Sequence, residues 1–220
     1  CFFTNYNPSE VLPPEPQAVL NIHRPKKVLA YNDFIFEHYP DFAKIKNFLP
    51  LIPDFRIMLT QLAFGPVLVV DMGYFRALSF LAFSFKDQFL KPKEESFYIE
   101  ENLMLSKQDP DSYILKYGNE TLGFVARKKN LLIISPFKKA LQMAIAHLSM
   151  EEKSSFFNFK GDISLYFKTQ QIFSNLYKVF PQLSFLKEIL EKNQWGNLRI
   201  DFSDHLASLN LQLQFDKPLT

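Results

Sequence analysis

The chain has 220 residues, 47% of them hydrophobic and 22% charged, with 25 Lys and Arg against 23 Asp and Glu. This globular balance excludes the basic footprint of a nucleic-acid binder and any block of like charge aimed at a membrane surface. Apolar runs such as LLII at 131–134 fall far short of the roughly 18 residues that a bilayer-crossing helix needs.

The chain opens on Cys1, its single cysteine, so no intrachain disulfide is expected. TNYNPSEVLPPEP (4–16) reads as an extended, proline-rich tether. A cysteine followed by such a tether suits a lipid-modified lipoprotein start. Phe2 and Phe3 suit instead the last turn of a signal anchor. Both readings place the folded part outside the cytoplasm, with the membrane met only through an N-terminal anchor. An arbitrary boundary within a cytosolic protein is the third reading.

A first strand is expected at 18–23. Pro25 then suits a first helical turn, and helices follow at 26–38 and 42–49, with a further short helix at 55–63. GPVLVVDM (65–72) and FRALSFLAFSF (75–85) read as strands joined in a hairpin around Gly73. The charged connector 86–96 leads to strands at 97–105 and 112–118. TLGFVARKKNLLIIS (121–135) reads as two strands around Lys128-Lys129-Asn130. Ser135 as N-cap and Pro136 at the first helical position start a helix over 136–149. A strand at 163–167, helices at 170–180 and 185–192, and strands at 197–202 and 206–215 complete the chain. In the last strand Leu209, Leu211, Leu213 and Phe215 alternate with Asn210, Gln212 and Gln214. That is the period of a sheet with one face on a core and the other in water.

VLVVDMGYFRALSFLAFSF and LRIDFSDHLASLNLQLQF match without gaps, placing Asp71 on Asp201 and Leu81, Phe83 and Phe85 on Leu211, Leu213 and Phe215. A long internal period signals duplication. The fold class expected is therefore α+β. Mostly antiparallel sheets carry helices on one face, and two strand-helix-helix-strand-strand halves (17–86 and 160–216) flank a central four-strand-plus-helix section (96–150). Residues 1–16 are the tether, and 17–220 form one domain.

With this plan, the central YGNETLGFVARKKNLLIISPFKKALQMAIAHL (117–148) resembles a group of poorly characterised bacterial envelope proteins. The resemblance lies in pattern along nearly the whole chain. It implies an extracytoplasmic, non-catalytic domain and carries over no functional residues.

The chain lacks GxSxG, HExxH, Walker A and GxGxxG patterns, and no cofactor is expected. His23, His38, His147 and His205 stand apart. Asp201, Asp204 and His205 form the densest polar cluster, and a metal there needs a further ligand such as Asp71. Turn and capping roles suit these residues better, so no metal or catalytic site is assigned. The pairs Lys26-Lys27, Lys128-Lys129 and Lys138-Lys139 suit a solvated surface or contact with anionic headgroups. The 25 phenylalanines are more suggestive. Phe75, Phe80, Phe83 and Phe85 put apolar groups on both faces of one strand, which must be covered. Phe156 and Phe157 lie in a second apolar stretch flanked by charge. These six are the candidate contact residues. The function expected is binding of another envelope protein through an aromatic-rich sheet surface or edge. The alternative is a carrier of lipid or another hydrophobic ligand, in a cavity lined by residues such as Phe34, Phe48, Phe80 and Phe173.

Overall fold

A computed structural model describes residues 6–13, 16–30, 55–73, 96–98, 102–109, 112–150, 160–169, 193–203 and 206–215. In chain order the elements are a 3-10 turn at Pro8–Val11, β1 (Ala18–Ile22), α1 (Pro25–Ala30), β2 (Arg56–Leu62), β3 (Gly65–Asp71), β4 (Ser96–Tyr98), β5 (Leu103–Asp109) and β6 (Ser112–Tyr117). They continue with β7 (Glu120–Lys128), β8 (Leu131–Ser135), α2 (Lys138–Leu148), β9 (Ile163–Lys168), β10 (Asn193–Ser203) and β11 (Leu206–Phe215).

The expectation of helices layered on sheets is corrected. The described residues are mostly antiparallel strand, and α2 is their one α-helix longer than six residues. The segment expected as a short helix at 55–63 is strand β2. Met58, Thr60 and Leu62 are buried while Leu59 and Gln61 are exposed, a period of two rather than 3.6. The expected helices at 42–49, 170–180 and 185–192, and the expected strand at 75–85, lie outside the described residues.

The chain divides into two compact units, Cys1–Pro16 with Pro50–Phe156, and Gln17–Leu49 with Phe157–Thr220. In the first, the strands run in the order β2-β3-β8-β7-β6-β5-β4. Register places Met58 opposite Val69, Val69 opposite Ile133 and Ile133 opposite Ala126. Residues directly opposite share a face, and all four are fully buried. α2 contributes Ala140, Leu141, Ala144 and Leu148 to the buried set. Its helix begins two residues later than expected. The Ser135 hydroxyl donates to the Pro66 carbonyl and accepts from the Phe137 N–H, tying β8 to β3 beside the helix start. Gly65 closes the β2–β3 hairpin at φ 132°, with the Phe137 ring where a Cβ would stand, so only glycine fits.

Residues 6–13 belong to this folded unit rather than to an extended tether. Asn7 caps the 3-10 turn in a capping box with Glu10. Val11 and Leu12 are buried. His147 Nδ1 lies 3.0 Å from the Val11 carbonyl. A carbonyl only accepts, so Nδ1 carries the proton. Asn130, buried in the β7–β8 turn, accepts the Tyr6 N–H at 2.8 Å and donates to the Tyr6 carbonyl at 2.9 Å and to Asp71 Oδ1 at 2.7 Å.

The second unit has the strand order β1-β9-β10-β11, antiparallel throughout. The duplication drawn from the sequence does not carry into the pairing. β3 has β2 and β8 on its two sides, so its hairpin partner precedes it. β10 has β9 and β11, and its hairpin partner follows it. The matched aspartates also differ in role. Asp71 accepts from the Gly73 N–H and from Asn130, whereas Asp201 is ion-paired with Arg199 at 2.6 Å.

Candidate functional site

The second unit presents an apolar lattice on one sheet face. Register aligns Leu20, Leu165, Leu198 and Leu211 in one row across β1, β9, β10 and β11. A second row holds Ile22, Ile163, Ile200 and Leu209, and a third holds Ala18, Phe167, Gly196 and Leu213. Side-chain alternation makes each row possible: every strand places its apolar residues at steps of two. The Phe167 ring lies over Gly196, where a Cβ would meet it at 2.4 Å. Phe167 is the one side chain of these rows that is buried.

Exposure rises toward β11. Leu198 and Ile200 are half-buried, whereas Leu209 is 67% and Leu211 53% exposed. Leu206, at the β10–β11 turn, is 73% exposed. The expectation that this face of the last strand meets a core is thus corrected. Asn210, Gln212 and Gln214 on the opposite side are exposed as well, so β11 is exposed on both faces from Leu206 to Gln212, while Leu213 is half-buried. Among the described residues β11 pairs with β10 alone. The sequence displays the leucine alternation plainly, but no local signal tells which face of a strand lacks a cover.

The polar side of the same unit is closed by Asp162. Its side chain is 4% exposed. It accepts from Lys27 Nζ at 2.7 Å and from the Phe202 N–H at 2.8 Å, with an Arg24 guanidinium nitrogen at 3.9 Å. Burial raises the Asp162 pKa, but the Lys27 and Phe202 hydrogen bonds and the charges of Lys27 and Arg24 outweigh it, leaving the value lowered. Asp201 accepts from Arg199 Nε, and this bond raises the guanidinium pKa further.

Of the residues singled out from the sequence, Cys1, Phe75, Phe80, Phe83, Phe85, Phe156 and Phe157 lie outside the described residues. So do Phe34, Phe48, Phe173, Asp204 and His205. Among the described residues no three His, Cys, Asp or Glu side chains come together as metal ligands. No helix among them is long and apolar enough to cross a membrane.

Neither a protein-family model nor a curated protein sequence matches the chain. Among solved structures the chain is similar to TP0453. Crystal form III of that protein matches with a TM-score of 0.53 at 12% identity, over 98% of this chain and 83% of that one. Crystal form I gives 0.45 at 15% identity, over 98% and 81%. Crystal form IV gives 0.48 at 12% identity, over 94% and 81%. The first of these likenesses shows a shared fold, and at such identity it shows the fold alone.

Proposed function

We propose that the protein is a non-catalytic extracytoplasmic domain of the bacterial envelope that binds another envelope protein by pairing β11 with a strand of that partner. One observation carries this reading. LASLNLQLQF is ten residues of strand without a charge or a proline, bordered by one strand among the described residues. Its pairing with β10 runs without a bulge from Trp195 and Gln214 to Ser203 and Leu206. Folded proteins blunt such edges with lysine, proline or bulges, and β11 has none of these along that run. A strand left unblunted suits augmentation: main-chain bonds supply affinity and alternate side chains supply selection. Burying an exposed leucine contributes about 1.5–3 kcal/mol, so Leu209 and Leu211 would add materially to a partner's hold.

The envelope setting is supported by the resemblance of the central section. The second reading, a binder of lipid or another hydrophobic ligand, draws on the leucine row from Leu20 to Leu211, whose exposure rises toward its β11 end.

Mass spectrometry of the protein taken from its native membranes tests the setting and separates the two readings. The protein-binding reading expects the protein in the envelope fraction and no stoichiometric acyl chains in an organic extract. Recovery in the soluble cytoplasmic fraction alone would remove the envelope setting. Non-covalently held acyl chains at one or more per protein would favour the second reading.

A further inference from the structure

We infer that the second unit holds a binding site for a phosphoryl group, built where Arg24, Lys160 and Arg199 surround the Gly161-Asp162 turn. The inference goes beyond the β11 reading and does not depend on it.

A cavity of about 310 Å³ opens here, lined by His23, Arg24, Lys27, Lys160, Gly161, Asp162, Arg199 and Asp201. Ligand pockets begin at roughly this size. Four cationic side chains line it against two carboxylates, so the lining is net positive. Each carboxylate is already committed. Asp162 is held closely by Lys27 and the Phe202 N–H, and Asp201 by Arg199 Nε. Arg24 stands 3.9 Å from Asp162 with its side chain 62% exposed, too far for a hydrogen bond. Lys160 is exposed on the other side of the turn. Arg199 spends Nε on Asp201, and a guanidinium has four further N–H donors on its terminal nitrogens.

Gly161 makes the space. At φ 95° it draws the backbone against Arg199 and Asp201, and a Cβ there would meet Arg199 Cγ and Nε at 2.8 Å. The two carboxylates therefore act as struts. Asp201 fixes the Arg199 guanidinium by one edge, and Asp162 anchors Lys27 beside it. Two guanidinium groups and an ammonium around one cavity match a group with several anionic oxygens, because guanidinium forks pair bidentately with phosphate. A carboxylate ligand offers fewer acceptors, and a cation meets net repulsion. The cavity admits a phosphorylated small molecule or the phosphate of a lipid headgroup alike.

Titration calorimetry in phosphate-free buffer at low salt tests the site, using inorganic phosphate as one probe. Vesicles of phosphatidylglycerol are the other, with phosphatidylcholine vesicles as control. The variant is Arg24→Gln combined with Lys160→Gln. Both side chains are exposed, and the Asp162–Lys27 and Asp201–Arg199 pairs remain, so its thermal midpoint should match the parent's. The site predicts saturable binding of one probe that weakens by about tenfold or more in the variant, as loss of charge-assisted bonds requires. Phosphate binding with indifference to vesicles assigns a free phosphorylated ligand. Phosphatidylglycerol binding that free phosphate competes away assigns a headgroup. Saturable binding of neither probe, or binding unchanged in the variant, overturns the inference. Leu209→Lys should leave phosphate binding intact, so failure here and failure at β11 are separate results.

Discussion

Lys27 Nζ and Asp162 Oδ2 stand 2.7 Å apart, joining residues 135 positions distant in the chain. The bond fastens the first turn of α1 to the residue that precedes β9. The same carboxylate oxygen accepts the Phe202 N–H at 2.8 Å, so one side chain holds α1 and the end of β10 together. All three of its partners, Lys27, Arg24 and Phe202, lie 40 or more positions away along the sequence, and no local pattern could have announced them.

Asp162→Asn should destabilise the second unit by about 2 kcal/mol. Removing one partner of a buried charge pair costs more than that in full burial, and Lys27, which is partly exposed, recovers some hydration. The effect has a pH signature. The folded-state pKa of Asp162 lies below the ordinary 3.8, so the stabilisation is complete above that value and is lost as pH falls through the lower folded value. Urea unfolding of parent and variant should show a constant gap at neutral and mildly acid pH that closes below 3.8. A gap that widens on acidification would contradict the assignment.

Asn130→Ala should cost the first unit about 2–4 kcal/mol, because it removes three bonds that a buried side chain makes to half-buried partners. The Tyr6 N–H, the Tyr6 carbonyl and Asp71 would each lose a bond. Thermal unfolding followed by circular dichroism checks this. Asn130→Asp retains the acceptor for Tyr6 but sets a carboxylate against Asp71 Oδ1, and should be as harmful at neutral pH and milder in acid.

His147→Ala should release the N-terminal segment. The Val11 carbonyl would lose its partner, at about 1–2 kcal/mol. Limited proteolysis should then cut within residues 6–13 faster than in the parent, while the remainder of the unit survives. Equal cutting rates would mean that Val11 and Leu12 hold the segment by packing alone.

Strands β6 to β9, helix α2 and the β10–β11 hairpin were legible because alternation and turn residues agree there, whereas the single strand expected at 97–105 is two, β4 and β5, and β5 runs on to Asp109. β7 and β8 meet at Lys129-Asn130, as the polar step between two apolar runs suggests, with Lys129 at φ 53°. β2 was misread because Met58, Leu59 and Leu62 mimic a helical stripe over so short a run. The pairing of strands distant in the sequence was not legible. β1 pairs with β9 across more than 140 positions, Ala18 opposite Phe167, and such partners are chosen by the whole sheet. The apparent repeat failed for the same reason, since similar strands entered different pairings. At the candidate site the leucines were visible as a pattern, and their exposure was not. The basic cavity brings together residues from α1's approach, the β9 turn and β10, which the sequence keeps far apart.

Photocrosslinking from β11 in the native cells tests the central claim, that this strand is the binding edge. With the crosslinker at Leu211, a discrete adduct with one envelope protein is expected, and Leu209→Lys should abolish it while leaving the thermal midpoint nearly unchanged, as exposed substitutions do. The same crosslinker at Leu122, exposed in the first unit, should give no such adduct. An adduct of equal strength from Leu122, or one indifferent to Leu209→Lys, would contradict the account, as would no adduct from Leu211.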